Sequence, residues 1–465
     1  MLKIKFGTDG WRAIIAQEYT VENVARVTKA VAIWLKQKQH NPVVVVGHDC
    51  RFGGELFTEV TIKVLCSEGI QVITHHGFVS TPMVSFGVLQ YKAHQGVVIT
   101  ASHNPPSYNG YKLKDAHGGP TSPDKIAEVE LLIPDEVVPI QGDLQTYEAT
   151  GLLVYKNLEE DYINYIHSKF DIAKLNQSPM KMAYDAMFGA GQRVMKQLFP
   201  KAVFLHCEVN PSFQGIAPEP LHKNLQALSE TIKHTPELKF GLANDGDADR
   251  IALYNEDGEY VDSHHIILLL IHYLYKYKGM TGKVAIAAST TLRVNKLCAL
   301  YGLPCEVTPI GFKYISEIMS KEDVLVGGEE SGGISIKGHI PERDGIYDGL
   351  AIYDFMNETG KTLKELCKEI YALVGAFYYE RNDLTLTEEK KQQAIKICSE
   401  GITAFGKYSV VNVNTIDGFK YELPNSAWTM IRASGTEPLL RIYAEGNSKE
   451  EVLDILTTVR EILGV

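Results

Sequence analysis

Short β-branched runs alternate with helical periodicity through most of the chain. Residues 43–46 (VVVV) form one such run. A polar loop, GHDCRFGGE, follows it, then apolar positions at helical spacing over 56–68, a stop at Gly69 and a second run at Gln71–Thr74. The same order returns at Lys181, where KMAYDA leads through FGAGQ and RVMKQLF to AVFLHCEV. It returns again at Lys283, where KVAIAAS leads through TTLR and VNKLCALYG to CEVTPIG. Strand, helix and strand within about 25–30 residues make a βαβ unit. Three such units predict three tandem α/β domains with mixed sheets.

The tail has a different rhythm. Apolar positions predict a helix over 388–405, then strands near 407–413, 428–433 and 439–445. A final helix opens on a capping box from Ser448 to Glu451 and carries Val452, Ile455, Leu456, Val459, Ile462 and Leu463 on one face. This reads as a smaller C-terminal α+β domain. The expected divisions are 1–150, 151–262, 263–375 and 376–465. A length of 465 residues agrees with three domains, or four small ones.

Charge narrows the partners. Asp plus Glu outnumber Lys plus Arg by 57 to 46, a formal −11, which excludes a general nucleic-acid binder. An anionic substrate then needs basic side chains gathered in one cleft. The seven cysteines (Cys50, Cys66, Cys207, Cys298, Cys305, Cys367, Cys398) are odd in number and contain no C-x-x-C, the usage of reduced buried thiols. The N-terminus has no signal-peptide apolar stretch. The longest apolar run, 266–271 with aromatic neighbours to Tyr277, is too short to cross ~30 Å of hydrocarbon. A cytoplasmic chain with no membrane partner is the expectation.

Four loops concentrate chemistry. Thr100-Ala101-Ser102-His103-Asn104-Pro105 follows an apolar strand and presents a serine hydroxyl, without the Gly-x-Ser-x-Gly elbow of a hydrolase. The chain then returns through Tyr108-Asn109-Gly110-Tyr111-Lys112 towards the same strand end. A lysine there can shuttle a proton if neighbouring cations lower its pKa. Asp245-Gly246-Asp247-Ala248-Asp249-Arg250 sets three carboxylates at alternate positions. A straight strand would hold them ~6–7 Å apart; curling at Gly246 and Ala248 lets them converge on a hard cation. Glu256 stands at the twelfth position of a would-be EF-hand, but Arg250 replaces its required glycine and the flanks read as strands. Gly327 to Gly333 (GGEESGG) offers acceptors and a hydroxyl suited to sugar hydroxyls. Arg432-Ala433-Ser434-Gly435-Thr436-Glu437 offers a guanidinium fork, two hydroxyls and a glycine turn suited to phosphate. Phe188-Gly189-Ala190-Gly191 is a fragment of a dinucleotide fingerprint that lacks the rest of it.

Taken together, TASHNP at 100–105, DGDADR at 245–250, GEESG at 328–332 and RASGTEP at 432–438 resemble, in order, the signature loops of the α-D-phosphohexomutase superfamily. FGTDGWR at 6–12 resembles its N-terminal motif. Within the superfamily the chain resembles the phosphoglucomutases and phosphomannomutases. The GEES form and HIPERDG at 339–345 are similar to the phosphoglucomutase branch, and the third loop of phosphoglucosamine mutases usually differs, which ranks that substrate lower. The resemblance implies an active site in the cleft between domains. Ser102 would be a phosphoserine, and Asp245, Asp247 and Asp249 would hold Mg²⁺ with a phosphoserine oxygen as a further ligand. Arg12, His103 and Arg250 would lie near that phosphate, and Lys112 would be the general acid or base. Glu329 and Ser331 would grip sugar hydroxyls, and Arg432, Ser434, Gly435 and Thr436 the phosphate that is not transferred.

The loop from Thr308 to Lys313 resembles the family's sugar-choice loop, which adds Lys313 to the substrate set. Gly333 stands where some relatives carry a histidine; His339 is the replacement this chain offers, and Arg343 in the same segment joins the substrate set. The implied reaction interconverts hexose 1-phosphate and hexose 6-phosphate, glucose first and mannose second, with glucose 1,6-bisphosphate as activator and bound intermediate. The alternatives are a phosphoglucosamine mutase, a phosphopentose mutase or a Mg²⁺-dependent sugar phosphatase. Monomer and homodimer both stay open.

Overall fold

The computed structural model describes residues 2–433 and 438–465. Its first three sheets share one four-strand frame. In the first, Val43–His48 lies between two parallel partners, Gln71–Thr74 and Gln95–Ile99, and Tyr108–Asp115 returns antiparallel beside the latter. In the second, Lys181–Asp185 lies between Val203–Leu205 and Leu238–Asn244, with Ile251–Tyr254 antiparallel beside Leu238–Asn244. In the third, Lys283–Ala287 lies between Cys305–Thr308 and Val324–Gly328, and Ile334–Ile336 is the antiparallel return. The first sheet adds Trp11–Ile14 on one edge and Leu153–Tyr155 on the other, and the second adds Tyr260–Val261.

This frame explains where the chemistry sits. In each domain the loop between the last parallel strand and its antiparallel return carries one motif: Ser102 in 100–107, the aspartates in 245–250 and the glutamates in 329–333. These are the carboxyl ends of parallel strands, where α/β sheets bind ligands. The C-terminal sheet is wholly antiparallel, in the order Tyr378–Thr385, Leu439–Gly446, Trp428–Ala433, Phe419–Glu422, Asn412–Asn414. Its Arg432 motif likewise begins at the end of one strand and leads into its antiparallel neighbour.

The second and third domains share one continuous core, reached from the first by Val45, Val84 and Val98. At its centre is Ser263–His272, capped by Asp262, whose apolar run 266–271 is wholly buried. No helix among the described residues is long and apolar enough to cross a membrane. The C-terminal domain keeps its own core and meets the third domain through a small apolar seam of Ala288, Trp428, Met430 and Tyr443.

Three details depart from the pattern reading. The first sheet runs past residue 150, because Leu153–Tyr155 pairs with Gln71–Thr74. The helix expected over 388–405 is Glu388–Glu400: Gly401 at φ +93° ends it, and Ala404–Phe405 pairs with Tyr408–Ser409. The capping box is half formed. Ser448 accepts from Glu451 N, but the Glu451 carboxylate reaches back to Asn447 N, one residue too early.

Candidate active site

Ser102 sits in a left-handed backbone conformation, φ +51°, on a buried loop. Such strain persists only where the surroundings hold it, and here Arg51 does. Its side chain, fully buried, donates Nε to Asp49 Oδ2 at 3.1 Å. Nη1 donates to the carbonyls of Pro105 and Tyr108, each at 3.1 Å, and Nη2 to those of Asn104, at 2.9 Å, and Ser102. All five guanidinium donors are thus spent on one carboxylate and four loop carbonyls. Thr100 completes the cradle: its hydroxyl accepts from Ser102 N at 2.8 Å and donates to Asp49 Oδ2 at 2.5 Å. Burial lifts the Asp49 carboxyl to about 6 even with Arg51 and Thr100 pulling the other way.

Ser102 Oγ donates to Asp245 Oδ2 at 2.7 Å, across the seam between the first two domains. The curl expected of the aspartate loop is present, with Ala248 at φ +58°. Carboxylate oxygens of Asp245, Asp247 and Asp249 come within 4.8 Å of one another, all three residues fully buried. Gly189 closes the floor beneath them: a Cβ there would stand 2.6 Å from Asp245 O and 2.8 Å from Gly246 O. The glycine fragment 188–191 therefore serves the aspartate loop.

Burial and the two neighbouring carboxylates push Asp245 well above the usual carboxylate range. Asp247 moves down despite its burial, because Lys112, Thr81 and Arg343 outweigh that cost. Asp247 Oδ1 and Asp249 Oδ1 are buried with no hydrogen-bond partner among the described residues. Converging carboxylates with orphaned oxygens fit a small, hard divalent cation.

Lys112 is buried on the opposite strand, its Nζ 2.8–2.9 Å from Asp247, Asp249 and Asp9. Burial works against its charge, but the three carboxylates outweigh it and hold the ammonium above its ordinary pKa. Carboxylates, not neighbouring cations, dominate its surroundings, so it stands protonated and offers a proton donor.

Arg12 donates to Asn104 Oδ1 at 2.8 Å. Arg250 reaches Glu219 at 3.5 Å. His103 Nδ1 lies 3.3 Å from Ser102 Oγ. Burial, then Arg250, Arg12, Lys112 and Arg51, hold the His103 imidazole well below its usual pKa, so it is neutral among cations. Arg343 bridges Asp9 and Asp249, the latter at 2.7 Å, and lies over the Phe312 ring.

In the third domain, Glu329 Oε1 accepts from Gly311 N at 2.9 Å. Its burial and Glu330 raise the carboxyl to about 7 against the pull of Arg343 and Arg250. Ser331 is half-buried on the same loop. Lys313 lines a cavity of ≈ 170 Å³ with Thr8, Asp9 and Glu130. His339 does not stand in for a histidine at Gly333. Its side chain is fully buried and stacked on Tyr347, Nδ1 contacts the Tyr165 hydroxyl at 3.1 Å and Nε2 contacts Asp344 at 2.9 Å, so neither nitrogen is left for substrate. Arg432 Nε donates to Asp417 Oδ1 at 2.9 Å. Ser434, Gly435 and Thr436 lie outside the described residues.

Sequence reasoning overlooked Arg51, Asp49, Thr81, Glu219 and Asp417, and gave Asp9 no role. The one available signal was the Asp-x-Arg at 49–51 directly after a parallel strand, the position the other chemistry-bearing loops occupy.

Comparison with known proteins agrees with this geometry. Models of the phosphoglucomutase/phosphomannomutase family match in order: α/β/α domain I over residues 3–137, domain II over 160–258, domain III over 262–374 and the C-terminal domain over 385–462. The chain belongs to this family of the α-D-phosphohexomutase superfamily. It is 31% identical over 98% of both chains to a "Probable phosphoglucosamine mutase" of Methanosphaera stadtmanae. It is 28% identical to a "Phosphoglucomutase/phosphomannomutase" of Thermococcus kodakarensis, over 97% of this chain and 96% of that one. A crystal structure of a "putative phosphomannomutase" from Thermus thermophilus superposes with a TM-score of 0.88 at 32% identity, covering all of both chains. The phosphoglucosamine mutase description recurs among further relatives at 28–29% identity.

Proposed function

We propose that this phosphohexomutase interconverts the 1- and 6-phosphates of a hexose, glucosamine ahead of glucose and mannose, with Ser102 as the phosphoryl carrier. The contact from Ser102 Oγ to Asp245 Oδ2 at 2.7 Å carries the reading, since it joins a strained serine to a cluster of carboxylates built for a cation. Asp245, Asp247 and Asp249 would hold Mg²⁺, which when bound neutralises charge on the transferring phosphoryl group.

Phosphoseryl-102 donates to the free hydroxyl of a hexose monophosphate. The Oγ–P bond breaks, the hydroxyl O–P bond forms, and the hydroxyl proton ends on Ser102 Oγ, which keeps it in the hydrogen bond to Asp245 until the second transfer gives it to the freed sugar oxygen. The bound 1,6-bisphosphate turns over and returns its other phosphate to Ser102. Arg12, Arg250 and neutral His103 face the transferring group, Lys112 is the acid–base candidate carried over from the family, and Glu329 and Ser331 receive the sugar hydroxyls. Arg432, with Ser434, Gly435 and Thr436 of the same motif, holds the distal phosphate, accepting either end of the sugar.

The GEES form alone ranks glucose first. The descriptions of the relatives favour the amino sugar, and a loop carrying Glu329 and Glu330 suits an ammonium group as well as hydroxyls. The test is a coupled assay of glucosamine, glucose and mannose 1-phosphates with Mg²⁺ and a trace of the matching 1,6-bisphosphate, with free phosphate monitored. Isomer without phosphate release supports the mutase, and the rates rank the sugars. Phosphate release without isomer would replace it with a phosphatase. Ser102→Ala should abolish sustained turnover.

A further inference from the structure

Ile310 and Gly311 carry adjacent N–H groups that end on carboxylates from two different domains. Gly311 N donates to Glu329 Oε1 at 2.9 Å, within the third domain. Ile310 N donates to Asp417 Oδ2 at 2.8 Å, in the C-terminal domain. Asp417 Oδ1 in turn accepts from Arg432 Nε at 2.9 Å. A path therefore runs from the phosphate arginine through Asp417 and two successive peptides of the sugar-choice loop to the sugar-binding glutamate.

Both ends of the path are built. Asp417 stands on the turn between Asn412–Asn414 and Phe419–Glu422, where Ile416 N donates to Asn414 Oδ1 at 2.9 Å. Gly418, at φ +82°, lets that turn lie flat against the arginine strand: a Cβ there would be 2.6 Å from Ile431 O. Gly311 takes φ +131°, and a Cβ on it would meet Thr8 Cγ2 at 2.7 Å. The peptide is thus wedged between the N-terminal motif on one side and the C-terminal domain on the other. A carboxylate shared by a guanidinium and a backbone N–H is charge-assisted on one side and directional on both.

We infer that Asp417 is a positioning residue that couples the grip on the distal phosphate to the orientation of Glu329. When the C-terminal domain seats, Asp417 fixes Arg432 and the 309–310 peptide in one step, next to the peptide that Glu329 holds. When it lifts away, Ile310 N–H passes to water and the loop keeps only its links within the third domain, the one to Glu329 among them. The enzyme then rewards ligands that carry a phosphate and a sugar together over either part alone. This rests on the roles of Arg432 and Glu329 proposed above.

The test pairs Asp417→Ala with Asp417→Asn, which keeps one acceptor oxygen but loses the charge. Loss of a charge-assisted link predicts a KM for the hexose phosphate raised about tenfold in Asp417→Ala. The kcat should stay within about threefold, because the Ser102–Asp245 centre is untouched, and Asp417→Asn should fall between. Backbone amide exchange is the second readout and needs no turnover. Residues 308–313 should exchange faster in Asp417→Ala while Lys283–Ala287 and Trp428–Ala433 keep wild-type protection. A KM within twofold of wild type with unchanged exchange at 308–313 overturns the coupling. Faster exchange spread over the whole C-terminal domain in both variants also overturns it, in favour of a purely structural role. If wild type turns over none of the phosphosugars, the proposed reaction fails, and the exchange comparison still decides the role of Asp417.

Discussion

Thr81 holds Asp247 twice: its hydroxyl donates to Asp247 Oδ2 at 2.5 Å and its backbone N–H to Asp247 O at 3.0 Å. Thr81 opens the helix Thr81–Gln90 of the first domain, whose cap Ser80 accepts from Met83 N. The aspartate loop of the second domain is therefore docked onto a helix N-terminus of the first, where backbone N–H groups favour negative charge. Ser102 and Lys112 make further links across this seam, so the proposed carrier and the proposed cation site are held together by the two domains rather than built into one.

Thr81→Val keeps the shape and the backbone link but removes the hydroxyl. Asp247 loses a donor that fixes its rotamer, and stability should fall by about 1–2 kcal/mol. The Mg²⁺ concentration for half-maximal activity should rise several-fold while activity at saturating Mg²⁺ recovers. A Mg²⁺ titration of the two proteins checks this, and superimposable curves would remove Thr81 from the cation site.

Arg51→Lys tests the cradle beneath Ser102. Lysine keeps the charge but offers one ammonium in place of a planar fork, so it cannot serve Asp49 and four carbonyls together. With Asp49 and Arg51 both fully buried, the loss should be about 3 kcal/mol of stability or more. The strained Ser102 backbone then relaxes, and kcat/KM should drop by about 100-fold, as displacements of order 1 Å at a reacting atom do. Thermal unfolding and steady-state kinetics measure the two effects.

Much of this site is legible in the sequence because its residues stand close together in unusual company. Three aspartates around small residues, or a serine at the end of an apolar strand, announce themselves within six positions. Arg51 does not. Apart from Asp49, its partners are four carbonyls 51–57 residues away, and backbone acceptors leave no mark on residue choice. Asp417 is hidden for the same reason, since one of its partners is a backbone N–H 107 positions distant. The fold reads well where a strand is buried on both faces, as at Val43–His48 and Lys181–Asp185, because a sustained short apolar run suits little else in an α/β chain. It reads poorly at 401–405, where Ile402 and Phe405 continue the helical spacing but Gly401 has already turned the chain. The sugar is harder still, because hydroxyl and ammonium recognition use the same carboxylates.

Gly189→Ala probes the floor of the cation loop. The new methyl would stand 2.6 Å from Asp245 O, 2.8 Å from Ala186 O and 2.8 Å from Gly246 O, all backbone atoms that cannot swing aside. Overpacking of this kind costs about 1–3 kcal/mol. The displaced peptide carries Asp245, so weakened Mg²⁺ binding should accompany the lost stability. Isothermal titration with Mg²⁺ alone separates the two: wild-type affinity in a destabilised protein would show that the floor supports the fold and not the site.

Glu445 predicts how the joint between the third and C-terminal domains responds to pH. It is fully buried near Arg293, whose Nε is 3.8 Å from Oε1. Burial raises its carboxyl to about 7, with Thr291, Lys420, Arg293 and Trp428 pulling only partly the other way. Lys420, which donates at 2.8 Å to the carbonyls of Ala288 and Thr290, is itself lowered by burial to about 8 and stays mainly charged below pH 7. Between about pH 4.5 and 7 the folded protein keeps a proton on Glu445 that the unfolded chain has released. Stability from this group is therefore fully present below about 4.5 and is lost as pH rises through 7, by at most ~3 kcal/mol. Glu445→Gln fills the same space and does not titrate, so the difference in stability between variant and wild type should widen in the variant's favour across that window. Thermal unfolding at a series of pH values reads the difference directly. Parallel profiles would mean that Glu445 is already ionised against Lys420 at the lower end of the window, and that the joint is held by a buried ion pair instead of a protonated acid.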